Sequence, residues 1–245
     1  MLTLTVLGCT GSYPGPGGAC SGYLLSSGTT QVWMDCGSGT LANLQHHIGL
    51  TDLTGIVVSH AHPDHCGELP LVHVAFRHYV ERLDVPVFGT AETRERVEAL
   101  RGSPLAPAFD WHTITDGSVF EIGALRFTAS ETDHPVETLA LRVDDLEEGR
   151  TLAYSADTSA DWTLDALGDG IDVALCEATL GHDPSGSALH LSAREAGESA
   201  RFAGAGRLVI THLAPGRDSR RAQQEAAEAF GAAVEVAANH SRIEV

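Results

Sequence analysis

Residues 59–65 read Ser59-His60-Ala61-His62-Pro63-Asp64-His65, so four potential metal ligands occupy six residues. The run before them, Gly55-Ile56-Val57-Val58-Ser59, is apolar and β-like, which hangs the cluster off the end of a buried strand. Strand ends and their loops are where a rigid fold presents reactive groups. His60 and His62 are two apart and point the same way if the backbone stays extended. Imidazole nitrogens suit zinc, and a carboxylate adds charge and oxygen ligation. A solvated polar loop is the bland alternative, and ligands at this density weigh against it.

The rest of the chain supplies a frame for that cluster. Leu2, Leu4 and Val6 alternate with Thr3 and Thr5 as a strand, and a Gly/Pro-rich loop follows from Gly11 to Gly18. Further strands are expected at 23–26, 31–35, 85–88, 118–122, 125–129, 138–143, 151–155, 172–176, 207–211 and 234–237. Helices are expected at 39–48, 69–82, 91–101, 192–203 and 219–230. Ser192-Ala193-Arg194-Glu195 matches a capping box at the start of the fourth. Two β-rich stretches, each followed by helices, are satisfied by two packed sheets with helices outside. No linker or short repeat interrupts them, so one domain spanning 1–245 is expected.

Composition removes several function classes. Lys and Arg number 15 against 33 Asp and Glu, a net charge of −18, with no dense basic cluster; a polyanion-binding surface is therefore not expected. The five cysteines, Cys9, Cys20, Cys36, Cys66 and Cys176, include no CxxC pair. That argues against a zinc knuckle and fits a reducing cytoplasm. The N-terminus has neither a basic start nor a small-residue cleavage site, and no apolar run approaches the ~20 residues of a membrane helix. His46, His47, His73, His78, His112, His182 and His240 are taken as bystanders. Trp33, Trp111 and Trp162 are read as packing residues.

The H-x-H-x-D-H pattern resembles the signature of the metallo-β-lactamase superfamily, whose remaining ligands follow in a fixed order at strand ends. His134 in Thr132-Asp133-His134-Pro135, Asp157 in Ser155-Ala156-Asp157-Thr158 and His212 in Ile210-Thr211-His212 match that order. Asp35 in Asp35-Cys36-Gly37 is similar to the family's buried structural aspartate. The resemblance implies an α/β fold, the four-layer αββα sandwich. It also implies two divalent metal ions, Zn²⁺ first, with Mn²⁺ or Fe²⁺ as alternatives. By it, His60, His62 and His134 hold one ion, Asp64, His65 and His212 hold the other, and Asp157 bridges them.

Ser59–Pro70 (SHAHPDHCGELP), Cys176-Glu177-Ala178-Thr179 followed by His190-Leu191-Ser192-Ala193-Arg194-Glu195-Ala196, and Thr211-His212-Leu213 resemble the tRNase Z branch, which cleaves phosphodiesters. That resemblance makes Glu177 and His190, with Asp64, the catalytic candidates. His190 would donate a proton to the leaving oxygen, and Glu177 would orient it. The helix start after His190 also favours an anion. Two features depart from the branch: Leu191 follows His190, and Asp84 to Val143 lacks a long basic arm for gripping tRNA. An acidic, armless chain resembles the bacterial cyclic-nucleotide phosphodiesterases of that branch. The implied substrate is a small phosphodiester, a cyclic 3′,5′-mononucleotide such as cAMP, with no nucleic acid and no membrane partner; a homodimer is left open. The alternatives are a tRNA 3′-end endonuclease, a thioester or lactone hydrolase, and a metal-binding scaffold without catalysis.

Overall fold

The computed structural model describes residues 1–181 and 189–245, so His182 lies outside the described residues. The chain starts as an antiparallel meander of β1 (Thr3–Gly8), β2 (Gly22–Ser27) and β3 (Thr30–Met34). Crossovers through α1 (Thr40–Leu44), α2 (Pro63–Cys66), α3 (Leu69–Ala75) and α4 (Ala91–Arg101) then add β4 (Gly55–Val57), β5 (Val85–Gly89) and β6 (Phe109–Thr113), all parallel to β3. β7 (Val119–Ile122), β8 (Leu125–Glu131), β9 (Leu139–Asp145) and β10 (Thr151–Tyr154) form a second antiparallel run. β11 (Val173–Glu177), β12 (Arg207–Thr211) and β13 (Val234–Val236) continue it in parallel with β10, with α5 (Ala193–Phe202) after β11 and α6 (Ser219–Phe230) after β12. The last strand, β14 (Arg242–Glu244), returns to the first sheet beside β1. The sheet orders are β14-β1-β2-β3-β4-β5-β6 and β13-β12-β11-β10-β9-β8-β7.

Strand alternation sorts the apolar residues into three cores, which is what makes four layers. Leu4, Val6, Tyr23, Leu25 and Val57 of the first sheet meet Phe127, Leu141, Leu152, Val173 and Leu175 of the second. The opposite faces pack on helices: Trp33, Ile56 and Val58 against Leu44, Leu69, Val72 and Val97, and Ala174, Cys176, Leu208 and Ile210 against Ala196, Ala200, Ala222 and Phe230. The architecture is the metallo-β-lactamase αββα sandwich. Small residues let α5 and α6 approach closely: a Cβ on Gly197 would stand 2.5 Å from Ala226 O and 2.9 Å from Ala229 Cβ.

Local chemistry sets the helix starts. Ser192 Oγ accepts from Glu195 N–H at 3.3 Å, and Glu195 Oε2 accepts from Ser192 N–H at 2.7 Å, the expected capping box. The Asp218 carboxylate caps α6 by accepting from the Arg220 and Arg221 amides. Several expectations are corrected. The helix expected over 69–82 stops at Ala75 and continues as a π-helical turn, Phe76–Val80, while the one over 39–48 covers only Thr40–Leu44. α2, β6 and β14 were not expected. Among the described residues, no helix is long and apolar enough to cross a membrane.

Candidate metal centre

Both sheets contain a parallel stretch, and the site lies where the carboxyl ends of those strands meet. Asp35 follows β3, His60 follows β4, Asp157 follows β10, Glu177 ends β11 and His212 follows β12. His134 comes from the β8–β9 connection. His62 precedes α2, where Pro63 at the first helical position turns the chain back so that Asp64 and His65 face His60 and His212. Asp35, Ala156 and His212 take left-handed φ angles of 59°, 50° and 57°, and so does Ser12 at 64°. Non-glycine residues adopt that region only when the surroundings hold them there. Ser12 is held by its N–H, which donates to Asp64 Oδ2 at 2.7 Å.

The seven residues assemble into two groups sharing one carboxylate. His60, His62, His134 and Asp157 form one set of convergent ligand atoms, and Asp64, His65 and His212 form another. His62 Nδ1 stands 3.1 Å from His60 Nε2 and 3.2 Å from His134 Nε2. In the second group His212 Nε2 stands 3.1 Å from His65 Nε2 and 3.2 Å from Asp64 Oδ2. Asp157 lies between them. Its Oδ2 is 3.6 Å from His60 Nε2 and 3.9 Å from His134 Nε2, and its Oδ1 is 3.3 Å from His65 Nε2 and 3.5 Å from His212 Nε2.

The outward-facing nitrogens are anchored, which dictates the tautomers. Asp35 Oδ2 accepts from His65 Nδ1–H at 2.8 Å, from Ser59 Oγ–H at 2.9 Å and from Tyr154 Oη–H at 2.7 Å, and Oδ1 accepts from Ser59 N–H at 2.8 Å. Because the Ser59 proton goes to Asp35, Ser59 Oγ is left to accept from His60 Nδ1–H at 3.0 Å. The same logic holds at Thr179. Its hydroxyl donates to Glu177 Oε2 at 2.6 Å and therefore accepts from His212 Nδ1–H at 2.7 Å. Leu189 O accepts from His134 Nδ1–H at 3.2 Å. Four imidazoles thus turn Nε2 inward, while His62 turns Nδ1. Thr179 carried no signal in the sequence beyond its place after Glu177.

This donor set fits two divalent cations. With metal–nitrogen bonds of about 2.05 Å, neighbouring ligands stand about 2.9 Å apart at right angles and about 3.3 Å apart at the tetrahedral angle. The contacts of 3.1–3.2 Å fall within that window. Asp157 Oδ1 is buried and has no hydrogen-bond partner among the described residues. Burial holds His60, His62 and His134 below the usual imidazole value, in the neutral ligating form. Burial works against the Asp64 carboxylate, but the His212 hydrogen bond and the charge of His65 hold its carboxyl below the usual range.

His190 and Glu177 stand beside this cluster. Glu177 Oε1 accepts from His190 Nδ1–H at 3.0 Å and from Thr158 N–H at 2.7 Å. The His190 ring lies 5.4 Å from that of His134 and 5.7 Å from that of His212. Burial would lower the His190 pKa, yet the hydrogen bond and charge of Glu177 outweigh it and hold the imidazole above its usual value. His190 also falls within ligand reach of Asp157 and His212, closer to the centre than its place outside the expected ligand set required.

A His- and Asp-lined centre able to bind metal, set at strand ends between two helix-covered sheets, defines a metal-dependent hydrolase. The family described as Beta-lactamase superfamily domain matches residues 30–213, and the chain belongs to it. It is 38% identical to an uncharacterized protein of Mycobacterium tuberculosis, over 86% of this chain and 81% of that protein. It is 30% identical to the "Probable metallo-hydrolase YhfI" of Bacillus subtilis, over 96% of this chain and 97% of that protein. The crystal structure of YhfI superposes with a TM-score of 0.89 at 27% identity, covering 100% of both chains. A Ribonuclease Z of Mycobacterium bovis is 28% identical over 100% of this chain and 99% of that protein.

Proposed function

We propose that residues 1–245 form one catalytic domain that hydrolyses a small phosphodiester, with a cyclic 3′,5′-mononucleotide such as cAMP as substrate. His60, His62 and His134 would hold one divalent ion, Asp64, His65 and His212 would hold the second, and Asp157, whose carboxylate lies between the two groups, would serve both. Zn²⁺ suits the His-rich set, and the shared carboxylate also suits Mn²⁺ or Fe²⁺. Bound there, the ions would acidify water and stabilise charge building on the phosphoryl oxygens.

The observation that carries the reading is the His190–Glu177 pair, 3.0 Å apart beside the metal-ligand cluster. The Glu177 carboxylate fixes Nδ1–H and stabilises the protonated ring. His190 Nε2–H then delivers its proton to the departing ribose 3′-oxygen as the P–O bond breaks. An alkoxide is a strong base and needs that proton; a thioester expels a much less basic thiolate and needs far less help at the leaving group. The buried Asp157, with Asp64, would supply the negative charge that two cations held so close together need.

The Ribonuclease Z relative supports a second reading, cleavage at the 3′ end of tRNA. Two features weigh against it here. Residues 84–143 run through β5, α4 and β6–β9 without an inserted arm, and the net charge is −18. RNA affinity rests on counterion release by basic side chains, which such a surface does not supply. The five thiols are free, in keeping with a reducing cytoplasm. Rates on a cyclic mononucleotide, a precursor tRNA and an aryl phosphodiester decide the matter. Turnover of the cyclic nucleotide well above that of the tRNA is expected; the reverse order promotes the endonuclease.

A further inference from the structure

Three histidines set aside in the sequence come together in space, outside the centre described above. His46 and His47 follow α1, and His240 lies in the connection between β13 and β14. His47 Nε2 stands 3.0 Å from His240 Nδ1 although 193 residues separate them. The His240 ring is also 5.7 Å from the ring of His46, centroid to centroid. We propose that His47 and His240 form a second, surface site for a divalent transition-metal ion of the zinc, nickel or copper type.

The nitrogen separation is the first argument. At 3.0 Å it matches the ligand pairs of the main centre, which stand 3.1–3.2 Å apart. It also lies inside the window of about 2.9–3.3 Å that two ligands of one ion occupy. The second argument is rigidity. Leu44 O accepts from His47 N–H at 2.9 Å, and Val6 O accepts from His240 N–H at 2.7 Å. The His240 backbone is held in the left-handed region at φ 67°. Both main chains are therefore fixed before any ion arrives, so only the ordering of the two side chains remains to oppose binding.

Ligand chemistry selects the ion. Two imidazoles favour borderline transition metals, whereas Mg²⁺ and Ca²⁺ require oxygen ligands. Burial and the neighbouring charges of His240, Arg242 and His46 hold His47 below the usual imidazole value, so the ring offers a lone pair near neutral pH. Arg242 opposes a cation, while the net charge of −18 favours one. The ion would clip the chain after α1 to the connection that carries the second sheet back to the first.

Calorimetric titration with Zn²⁺ of protein whose centre is already loaded with zinc tests this. The wild type should take up a further equivalent, and Mg²⁺ should give no such uptake. His47→Gln and His240→Ala should each lose that equivalent while keeping the metals of the centre and the full hydrolytic rate. Retention of the centre's metals also reports that the variants fold. On the unmutated protein, Zn²⁺ should shield His47 and His240 from diethyl pyrocarbonate. An N–H···N hydrogen bond and nothing more predicts no further uptake and no shielding, and either result overturns the proposal.

Discussion

Removing the His190 imidazole is the most informative single perturbation, because the structure places it where two roles are geometrically open. Its Nδ1 is committed to Glu177 at 3.0 Å, so only Nε2 is free to act. If Nε2 carries the proton for the leaving oxygen, His190→Ala should slow hydrolysis of a cyclic nucleotide by about 10²–10⁴-fold, the usual contribution of a positioned general acid. That is ~2.7–5.5 kcal/mol of barrier. An aryl phosphodiester expels a weakly basic phenolate, and its rate should fall by less than about one decade, ~1.4 kcal/mol. Steady-state rates on both substrates, with metal content measured on the same preparations, give the comparison. Equal losses on the two substrates together with loss of a metal ion would refute the proton-donor role. His190 would then be a ligand alongside Asp157 and His212, an arrangement the geometry also allows.

Asp157→Ala takes away both oxygens that face the two groups, and elemental analysis should show at least one ion lost with activity abolished; two ions and a wild-type rate would exclude the bridging role. Thr179→Val removes the acceptor of His212 Nδ1–H and should weaken metal binding by roughly 10–100-fold, the usual cost of losing a group that orients a ligand. Thr179→Ser should restore it, and a chelator competition reads both. Gly197→Ala inserts a Cβ 2.5 Å from Ala226 O. Overpacking of about 1–3 kcal/mol should exceed the ~1 kcal/mol gained in helix propensity, so thermal unfolding should come at lower temperature. An unchanged or raised Tm would mean that α5 and α6 separate easily.

The proposed ligands are unevenly legible in the sequence, and the reason is distance along the chain. His60, His62, Asp64 and His65 are legible because ligand density within six residues has few bland explanations. His134, Asp157 and His212 are each ordinary by themselves and become legible only through their order relative to strands. Ser59 and Thr179 were illegible as tautomer-setting groups, since a hydroxyl at a strand end acquires that role only from partners brought in by folding. α2 lies inside the ligand motif and has four residues, too few to show a helical period. β6 reads as polar because it lies at a sheet edge, with Asp110, His112 and Thr113 exposed. The π-helical turn after α3 adds residues to a helix without breaking its apolar pattern, so 69–82 read as one element. β14 pairs with β1 across almost the whole chain, and nothing local encodes that pairing.

Four of the left-handed non-glycine residues, Ser12, Asp35, Ala156 and His212, lie at or beside proposed ligands of a single centre although they belong to four separate connections. Each such conformation costs of order 1–3 kcal/mol, so their gathering needs a compensating term. The hydrogen bonds of the anchoring side chains supply one. Asp35 satisfies both of its oxygens with Ser59, His65 and Tyr154, and Thr179 ties His212 to Glu177. The second of these links has a chemical consequence. One carboxylate holds the proposed proton donor through Oε1 and, through the Thr179 hydroxyl, the tautomer of a proposed metal ligand through Oε2. A shift of Glu177 would therefore disturb proton delivery and metal ligation together. Its position as the last residue of the fully buried β11, flanked by the parallel strands β10 and β12, is where the fold leaves a side chain least room to move.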